Sequence, residues 1–380
     1  MLALLFTCRT GLGFQFQTLG SVSGSLTTEL GFSHTEIGTL IGLFMLPGLL
    51  LAMPAGYVGR YLPDRALVGL SFLCLGAGGA IAAVANGFGL LALGRMASGI
   101  GFVFSTIYLT KMIADWFAGK ELATAMGILV MSWPFGIAMG QIGHVWIDVH
   151  FNWRAAFVAA AGYCTLSAVA VFLLYRPPAI VREVPVGAIG LPRSELVLTL
   201  LAAMIWGLFN AGYIVYLSFA PRVLMAGGYG STQAAAVISI ASWVMIFSGA
   251  VCGQIADRTG RRDAIMYVCA AVAVATLLLL RQTSLAIALS LLFGLIGMAS
   301  AGVIMALTAE AMAPQRRAFG MGVFFSLYFV VVTLAPPIAG WLFDRSGDAY
   351  WPILFAAILF AGAALMYRAF RVVKGRMAAA

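Results

Sequence analysis

Residues 253–262 read Gly253-Gln-Ile-Ala-Asp257-Arg258-Thr-Gly260-Arg261-Arg262. The stretch joins two long apolar segments, and it places four charges within six residues of a chain in which only 9% of residues are charged. Glycine permits the backbone conformations that a tight turn requires. An acid at a helix end can accept hydrogen bonds from the exposed N–H groups of a neighbouring helix start. Because arginine-rich loops mark the cytoplasmic side of a membrane, we interpret residues 253–262 as a cytoplasmic clasp between two transmembrane helices.

The composition excludes a soluble protein. Hydrophobic residues make up 62% of the chain and the mean hydropathy is +1.02, whereas soluble domains carry about 25% charged residues. Apolar runs of about 20 residues recur, each long enough to cross the hydrocarbon core of a bilayer. The alternating pattern of a membrane barrel is absent, so the spans are expected to be helices. The five cysteines are scattered without a C-x-x-C pair, which indicates neither a disulfide framework nor a metal site.

The apolar runs predict twelve spans, six on each side of a polar, proline-rich break. The N-terminal bundle is expected over residues 1–175, a cytoplasmic linker over 176–194 and the C-terminal bundle over 195–380. No helix is expected to cross the prolines of the break. The twelve spans are expected near residues 2–24, 36–58, 66–85, 89–112, 122–145, 155–175, 195–218, 234–256, 264–280, 285–309, 318–341 and 352–369.

The distribution of lysine and arginine predicts the orientation. Of the 22 such residues, sixteen fall in loops on one side, four fall in loops on the other side, and the remaining two, Arg9 and Arg95, lie within spans. The positive-inside rule then puts both termini in the cytoplasm. Residues 1–6 are apolar with no basic residue ahead of them, unlike a signal peptide, so the chain starts inside its first helix; a start upstream of Met1 stays open.

The two halves also repeat at an offset near 195 residues. The segment from Asp115 to Gly127 aligns with the segment from Glu310 to Gly322, and Gly99 then falls on Gly294. Two repeated six-helix bundles with a site at mid-membrane are a transporter layout.

The clasp resembles the G-x-x-x-D-R-x-G-R-R loop signature of the major facilitator superfamily and matches it at every fixed position. The resemblance implies an all-α membrane protein with twelve helices in two pseudo-symmetric bundles. It also implies that Asp257 holds the start of the fifth helix when the cytoplasmic side is closed. In the first half, the related segment from Gly56 to Arg65 has Arg60 where the family has its Asp. The corresponding contact of this segment with the eleventh helix is therefore expected to be weaker.

Two acids beside these loops are candidates for a gate. We expect Asp115 to pair with Arg60 or Arg65, and Glu310 to pair with Arg258 or Arg262. Exposed pairs are individually weak, so the gate would open by breaking them as a network. The alternative is that these charges only set the topology.

The fourth helix holds Arg95-Met-Ala-Ser-Gly99-Ile-Gly101, which resembles the family's R-x-x-x-G-x-G motif. Glycines let a neighbouring helix approach closely. We expect a structural or coupling role for Arg95, Gly99 and Gly101. The competing interpretation is that Arg95 extends to the outer membrane surface.

Arg9 is the candidate for binding an anion. It lies about 10 Å inside the first helix, and all thirteen acids of the chain lie at span ends or in loops. An arginine can bind a carboxylate through two parallel hydrogen bonds, and Gln17 lies close to the same face. The position resembles the anion-binding arginine of the organophosphate and anion/cation branches of the superfamily. The alternative is that Arg9 extends to the cytoplasmic surface.

Further candidates for contact with a solute are aromatic or polar side chains in the spans, of which aromatic packing is the simpler interpretation. They are Tyr108, Trp133, Asn210, Tyr213 and Tyr328. Lys111, one turn from Tyr108, is interpreted as an interface lysine. A glycine pattern at 127, 136 and 140 partly resembles the antiporter motif of drug-efflux members, but Gln141 replaces the expected proline.

These features predict a secondary or facilitative transporter of a small anionic solute that works by alternating access. No nucleotide-binding loop is present, and no cofactor is expected. The overall pattern resembles cyanate and nitrate/nitrite porters, although the paired arginines of nitrate porters on helices two and eight are missing. The expected partners are the solute, a co- or counter-transported ion and the lipid bilayer, without nucleic acid. A monomer in the inner (plasma) membrane is expected.

Two other functions remain as alternatives. Efflux of hydrophobic compounds fits the aromatic and methionine-rich spans, and a non-transporting receptor fits the same fold. An enzyme is not expected, because His34, His144 and His150 form no catalytic or metal pattern. His144 is kept as a candidate proton carrier.

Overall fold

The computed structural model describes residues 1–58, 61–117, 121–178 and 190–379. These residues form helices and no strand, as expected where the bilayer offers the backbone no hydrogen-bonding partner. By contacts the chain divides into two compact units, Met1–Val184 and Pro185–Ala380, and each unit is described separately.

The first unit contains seven helices within its described residues. They are α1 (Leu2–Ser21), α2 (Ser23–Leu30), α3 (His34–Val58), α4 (Asp64–Ala83), α5 (Phe88–Trp116), α6 (Leu122–His150) and α7 (Trp153–Leu174). The predicted first span over 2–24 is corrected here: the helix breaks at Val22, and α2 continues to Leu30.

The second unit also contains seven α-helices within its described residues. They are α8 (Arg193–Ala226), α9 (Ser231–Thr259), α10 (Arg262–Leu279), α11 (Ala286–Leu292), α12 (Ala301–Ala311), α13 (Arg317–Ser346) and α14 (Tyr350–Ala379). The predicted span near 285–309 is interrupted: a π-helix over Phe293–Gly297 separates α11 from α12, whereas α5, its counterpart in the repeat, is continuous.

Eleven helical segments of the described chain are long and apolar enough to cross a membrane. α11 and α12 count as one of these, over Thr283–Ala311. α1 is not among the eleven, since Arg9, Gln15 and Gln17 lower the hydropathy of its 20 residues. With α1 the described helices supply six spans in each unit, which confirms the predicted fold class.

The expected linker, 176–194, is described only at 176–178 and 190–194. α8 begins at Arg193, directly after Pro192. Most of the linker prediction therefore lies outside the described residues.

Candidate functional site

α1 and α6 approach closely because each presents a glycine to the other. A Cβ atom at Gly13 would lie 2.4 Å from the carbonyl oxygen of Trp133, and a Cβ atom at Gly136 would lie 2.1 Å from that of Thr10. Neither distance is possible for a real side chain, so glycine is required at both positions. Five polar side chains of α1 and α2 then contact α6, and we call these contacts the polar seam: Arg9, Gln17, Thr18, Ser21 and Ser25.

Arg9 lies at the end of the polar seam that is nearer to the N-terminus of α1. Its Nη1 donates to the carbonyl oxygen of Leu129 at 2.6 Å and to Ser132 Oγ at 3.3 Å, while its buried Nε has no partner. Among the described residues no carboxylate forms an ion pair with it. The guanidinium is therefore held inside the unit by α6, with hydrogen-bonding capacity left over.

Beyond Arg9, the polar seam continues as a series of buried contacts that recur at helical spacing. Gln17 donates to Gln141, and Thr18 Oγ1 lies 3.4 Å from His144 Nε2. Sequence reasoning chose Gln17 but missed Gln141 as its partner. The signal was present, since 18 and 21 on α1 and 25 on α2 match 141, 144 and 148 on α6 in steps of three or four residues.

Ser25 on α2 and Asp148 near the end of α6 form the opposite end of the polar seam. The Ser25 hydroxyl lies 2.9 Å and 2.7 Å from the two carboxylate oxygens of Asp148. This pair was also missed at the sequence level. It places an acid in the last turn of α6.

Arg95 does not extend to the membrane surface, so that alternative is wrong. Its side chain is 1% exposed. Nε donates to the carbonyl oxygen of Leu40 at 3.2 Å, and Nη1 and Nη2 donate to those of Gln15 and Phe16, each at 3.3 Å. The guanidinium carbon also lies 4.5 Å from the ring centroid of Phe44. Arg95 thus ties α5 to α1 and α3.

The two glycines after Arg95 allow α5 to pack closely against α3 and α4. A Cβ atom at Gly99 would lie 2.3 Å from the carbonyl oxygen of Phe44, and one at Gly101 would lie 2.4 Å from that of Ser71. The structure therefore gives Arg95, Gly99 and Gly101 a packing role.

Two candidate solute contacts of the first unit take part in packing. The hydroxyl of Tyr108 donates to the carbonyl oxygen of Ala55 at 2.6 Å and is buried. The ring of Trp133 lies 5.5 Å from that of Phe16 and 5.3 Å from that of Phe102. Trp133 is adjacent to Ser132, a partner of Arg9. Tyr108 instead joins α5 to α3.

The candidates of the second unit are also engaged within it. Asn210 Nδ2 donates to the carbonyl oxygen of Trp206 in its own helix at 2.9 Å. The hydroxyls of Tyr213 and Ser242 lie 2.6 Å apart. Tyr328 lies with its ring centroid 6.5 Å from that of Trp206. Tyr213 thus joins α8 to α9, and Tyr328 packs on the face of α8 that carries Asn210 and Trp206.

The clasp of the second unit is built around Arg262. Its guanidinium lies 3.0 Å from Asp257 and 3.4 Å from Glu310, so the expected contact of Glu310 with Arg262 is present. Gly260 ends α9 with φ +67°, a left-handed conformation that glycine adopts without strain. Gly253 lies inside α9 with open space where its Cβ would be.

Glu310 has two further partners that sequence reasoning missed. Arg371 lies 3.3 Å from its carboxylate, and Lys374 contacts the same oxygen. Both cations come from α14, so Glu310 links α12 to α10 and α14. Arg258 and Arg261 are exposed and form no ion pair with the described residues.

The first unit uses different partners. Lys111 bridges Asp64 at 2.5 Å and Asp115 at 3.1 Å. The predicted pairing of Asp115 with Arg65 is wrong, because Arg65 is exposed and Lys111, four residues earlier on the same helix, is nearer. Arg60 lies outside the described residues.

Among the described residues no group of three or more His, Cys, Asp or Glu side chains is arranged to hold a metal ion.

Comparisons with known proteins identify the family. The sequence model of the Major Facilitator Superfamily matches residues 5–303. The chain is 27% identical over 152 residues to the probable L-galactonate transporter of Escherichia coli (strain K12), a match that covers 40% of this chain and 34% of that protein. It is 22% identical over 236 residues to the hexuronate transporter of Bacillus subtilis (strain 168), covering 59% of this chain and 56% of that protein. These matches span between about a third and somewhat over half of the relatives' length.

Solved structures share the fold over nearly the whole chain. A bacterial homolog of the human lysosomal transporter Spinster, in an inward-facing and occupied conformation, superposes with a TM-score of 0.79 at 18% identity and covers 98% of this chain and 96% of that chain. A point mutant of the nucleoside transporter NupG has a TM-score of 0.76 at 13% identity and covers 98% and 100%. The chain is an integral multi-pass membrane protein, and it belongs to the Major Facilitator Superfamily.

Proposed function

We propose that the protein is a secondary or facilitative transporter of a small organic anion, with a sugar acid as the substrate class. The relatives named above carry galactonate and hexuronate in their names. Each of these solutes joins a carboxylate to a chain of hydroxyl groups. The proposal needs a positive group inside the membrane to accept the carboxylate, and it rests on Arg9.

Arg9 has the properties that a carboxylate site requires. A charged side chain inside a membrane span is costly and is normally functional or paired. Arg9 has no carboxylate partner among the described residues, and its Nε is unsatisfied. An arginine offers five N–H donors in a planar fork, of which the carbonyl oxygen of Leu129 and the hydroxyl of Ser132 occupy one nitrogen. A substrate carboxylate would complete the fork.

Arg95 supports the choice by contrast. All three of its nitrogens already bond to backbone carbonyls within the unit. Of the two arginines within the spans of the first unit, Arg9 is therefore the one with a free donor. Gln17 and Trp133 lie along the same pair of helices as Arg9, so we infer that they shape the site.

Transport by alternating access would require the cytoplasmic contacts to break and form again. We infer that the network of Asp257, Arg262 and Glu310 and the bridge of Lys111 with Asp64 and Asp115 close the cytoplasmic side. The protein would act as a monomer in the inner (plasma) membrane, with lipid around it and both termini in the cytoplasm, and a co- or counter-transported ion would accompany the solute.

Thermal shift of the detergent-purified protein tests the proposal. D-galactonate and a hexuronate are added to the wild type, to Arg9→Met and to the control Arg281→Met, which removes an exposed arginine at the surface. A ligand at a hundredfold excess over its dissociation constant stabilises the folded state by about 2.7 kcal/mol. We expect stabilisation of the wild type and the control but not of Arg9→Met.

Three outcomes would contradict the proposal. Stabilisation of Arg9→Met equal to that of the wild type would remove the site from Arg9. Stabilisation by hydrophobic cations alone, unaffected by the Arg9 change, would favour efflux of hydrophobic compounds, the alternative that the aromatic contacts of Trp133 and Trp206 support. Binding without flux in liposomes would favour a receptor.

A further inference from the structure

We propose that His144 binds the proton that accompanies the anion, so that the co-transported ion of the first unit is H⁺. The inference rests on the proposed transport function and names its coupling ion. It begins from the position of His144 in the middle of the polar seam, between Gln141 and Asp148 on α6.

The imidazole of His144 is enclosed. Its side chain is fully buried, and the ring of Phe14 packs on it with a centroid distance of 4.1 Å. Nε2 lies 3.4 Å from Thr18 Oγ1, and the buried Nδ1 has no hydrogen-bond partner. A buried polar atom without a partner costs free energy, so a function is the natural reason for retaining one here.

An imidazolium at this position would have two possible hydrogen-bond acceptors. A protonated histidine donates from both nitrogens, and a hydroxyl such as that of Thr18 can accept from Nε2. Gly140 lies against the other side of the ring: a Cβ atom there would lie 3.2 Å from Nδ1. Nδ1 lies towards the carbonyl oxygen of Gly140, one turn earlier in α6, which also accepts a hydrogen bond from Ser21 Oγ.

Several ionisable groups lie on the helices that surround His144. They are Asp148 on α6 itself, Glu29 on α2, Arg154 and Tyr163 on α7, and Arg95 on α5, whose guanidinium holds two carbonyls of α1. Asp148 lies one turn beyond His144 and bonds to Ser25. A proton arriving from the outer side would therefore pass the Asp148 carboxylate before reaching the imidazole.

The choice of His144 also follows from what else the spans contain. The acids of the chain lie at the ends of spans or in loops, so no carboxylate in the apolar interior can carry a proton. His34 lies at the start of α3 and His150 at the end of α6. Histidine is the side chain that most readily gains and loses a proton near neutral pH, and His144 is the histidine within the interior of a span.

No covalent step is needed. Water on the outer side supplies H⁺ to the imidazole, the anion binds at Arg9 on the same two helices, and both leave on the inner side. One negative and one positive charge then cross together, so the cycle moves no net charge.

Flux in proteoliposomes tests the inference. Vesicles with the outside more acidic, and with the membrane potential held at zero by valinomycin and equal potassium, receive radiolabelled D-galactonate or hexuronate. One-to-one coupling predicts about tenfold accumulation per pH unit. The variant His144→Gln should lose this accumulation but keep exchange of labelled for unlabelled solute, which needs no net proton movement. The control His150→Gln removes an exposed histidine of the same helix and should behave as the wild type.

A second variant gives a graded readout. Thr18→Val removes the acceptor at Nε2 and thereby disfavours the imidazolium, so half-maximal uptake should move to lower pH while exchange continues. Full gradient-driven accumulation by His144→Gln would overturn the inference, as would an unchanged pH profile in Thr18→Val. Loss of both accumulation and exchange in a folded His144→Gln protein would assign His144 to solute binding instead. A wild type that neither binds nor exchanges any of these anions would overturn the proposed function itself.

Discussion

The two units build the same helix crossing with different polar chemistry. In the first unit a Cβ atom at Gly99 would lie 2.3 Å from the carbonyl oxygen of Phe44; in the second, a Cβ atom at Gly294 would lie 2.4 Å from that of Ala241. One helical turn before each glycine the units diverge. Arg95 bonds to three backbone carbonyls, whereas Ser290 accepts a hydrogen bond from the hydroxyl of Tyr216 at 3.1 Å.

The contact between the first and fifth spans of each unit differs in the same way. α1 and α6 meet through the polar seam, whereas α8 and α13 meet through aromatic and aliphatic groups: Trp206 packs near Tyr328, and Gly207 faces Val331. The repeat therefore preserves the close packing of the backbone at these crossings, while the half-buried Arg9 and the buried Arg95 and His144 lie at the crossings of the first unit. This asymmetry is the reason for assigning the anion and the proton to that unit.

Substitutions at the helix crossing that both units share should have the largest effect on the yield of folded protein. Gly99→Leu and Gly294→Leu should each leave little folded protein, because a side chain at either position collides with a backbone carbonyl that cannot move alone. Size-exclusion profiles and thermal unfolding in detergent measure this. Gly127→Leu, whose Cβ faces open space, serves as the control. A normal yield and melting temperature for either crossing variant would show that the crossing is not needed there.

Arg95 and Ser290, which differ between the two crossings, should contribute unequally to thermal stability. Arg95→Met removes hydrogen bonds from a charged donor, each worth about 1.5–3 kcal/mol, whereas Ser290→Ala removes one neutral bond worth about 1 kcal/mol. We expect the larger loss of thermal stability for Arg95→Met. Equal losses, or a gain for Arg95→Met, would mean that the burial cost of the cation offsets its bonds.

Substitutions in the ion pairs around Arg262 should have the smallest effects on stability. Glu310 is mostly buried and has three cationic partners, whereas Asp257 is 73% exposed and has one. Since exposed ion pairs contribute about 0–1 kcal/mol and are screened by salt, Glu310→Gln should lower stability by about 1 kcal/mol and Asp257→Asn by a few tenths. Melting temperatures at low and high salt compare them. A larger loss for Asp257→Asn would contradict this interpretation of the network.

Hydropathy was sufficient to predict the helical spans, because a chain in lipid must satisfy its own backbone and so forms long apolar helices. It could not show the break of the first helix at Val22 or the π-helix at Phe293–Gly297, which depend on contacts with neighbouring helices. The position of Arg9 inside a span was evident from the sequence. Its bond to the carbonyl of Leu129 was not, since a backbone acceptor carries no side-chain signature.

The outcome for Arg95 and Lys111 has the same cause. The sequence places both residues correctly along α5, yet Arg95 turns inward to carbonyl oxygens and Lys111 bridges two acids. Both results depend on which atoms of other helices come within about 3 Å. The motif resemblance singled out Arg95 without identifying its partners.

The central claim is that Arg9 selects the substrate by its carboxylate. Its most direct test compares equilibrium binding of a hexuronate with that of the uncharged hexose of the same stereochemistry, in the wild type and in Arg9→Met. Since a hydrogen-bonded carboxylate partner contributes about 1.5–3 kcal/mol, the wild type should prefer the acid by about 10- to 100-fold, and Arg9→Met should bind both sugars alike. A full preference for the acid in Arg9→Met would contradict the account.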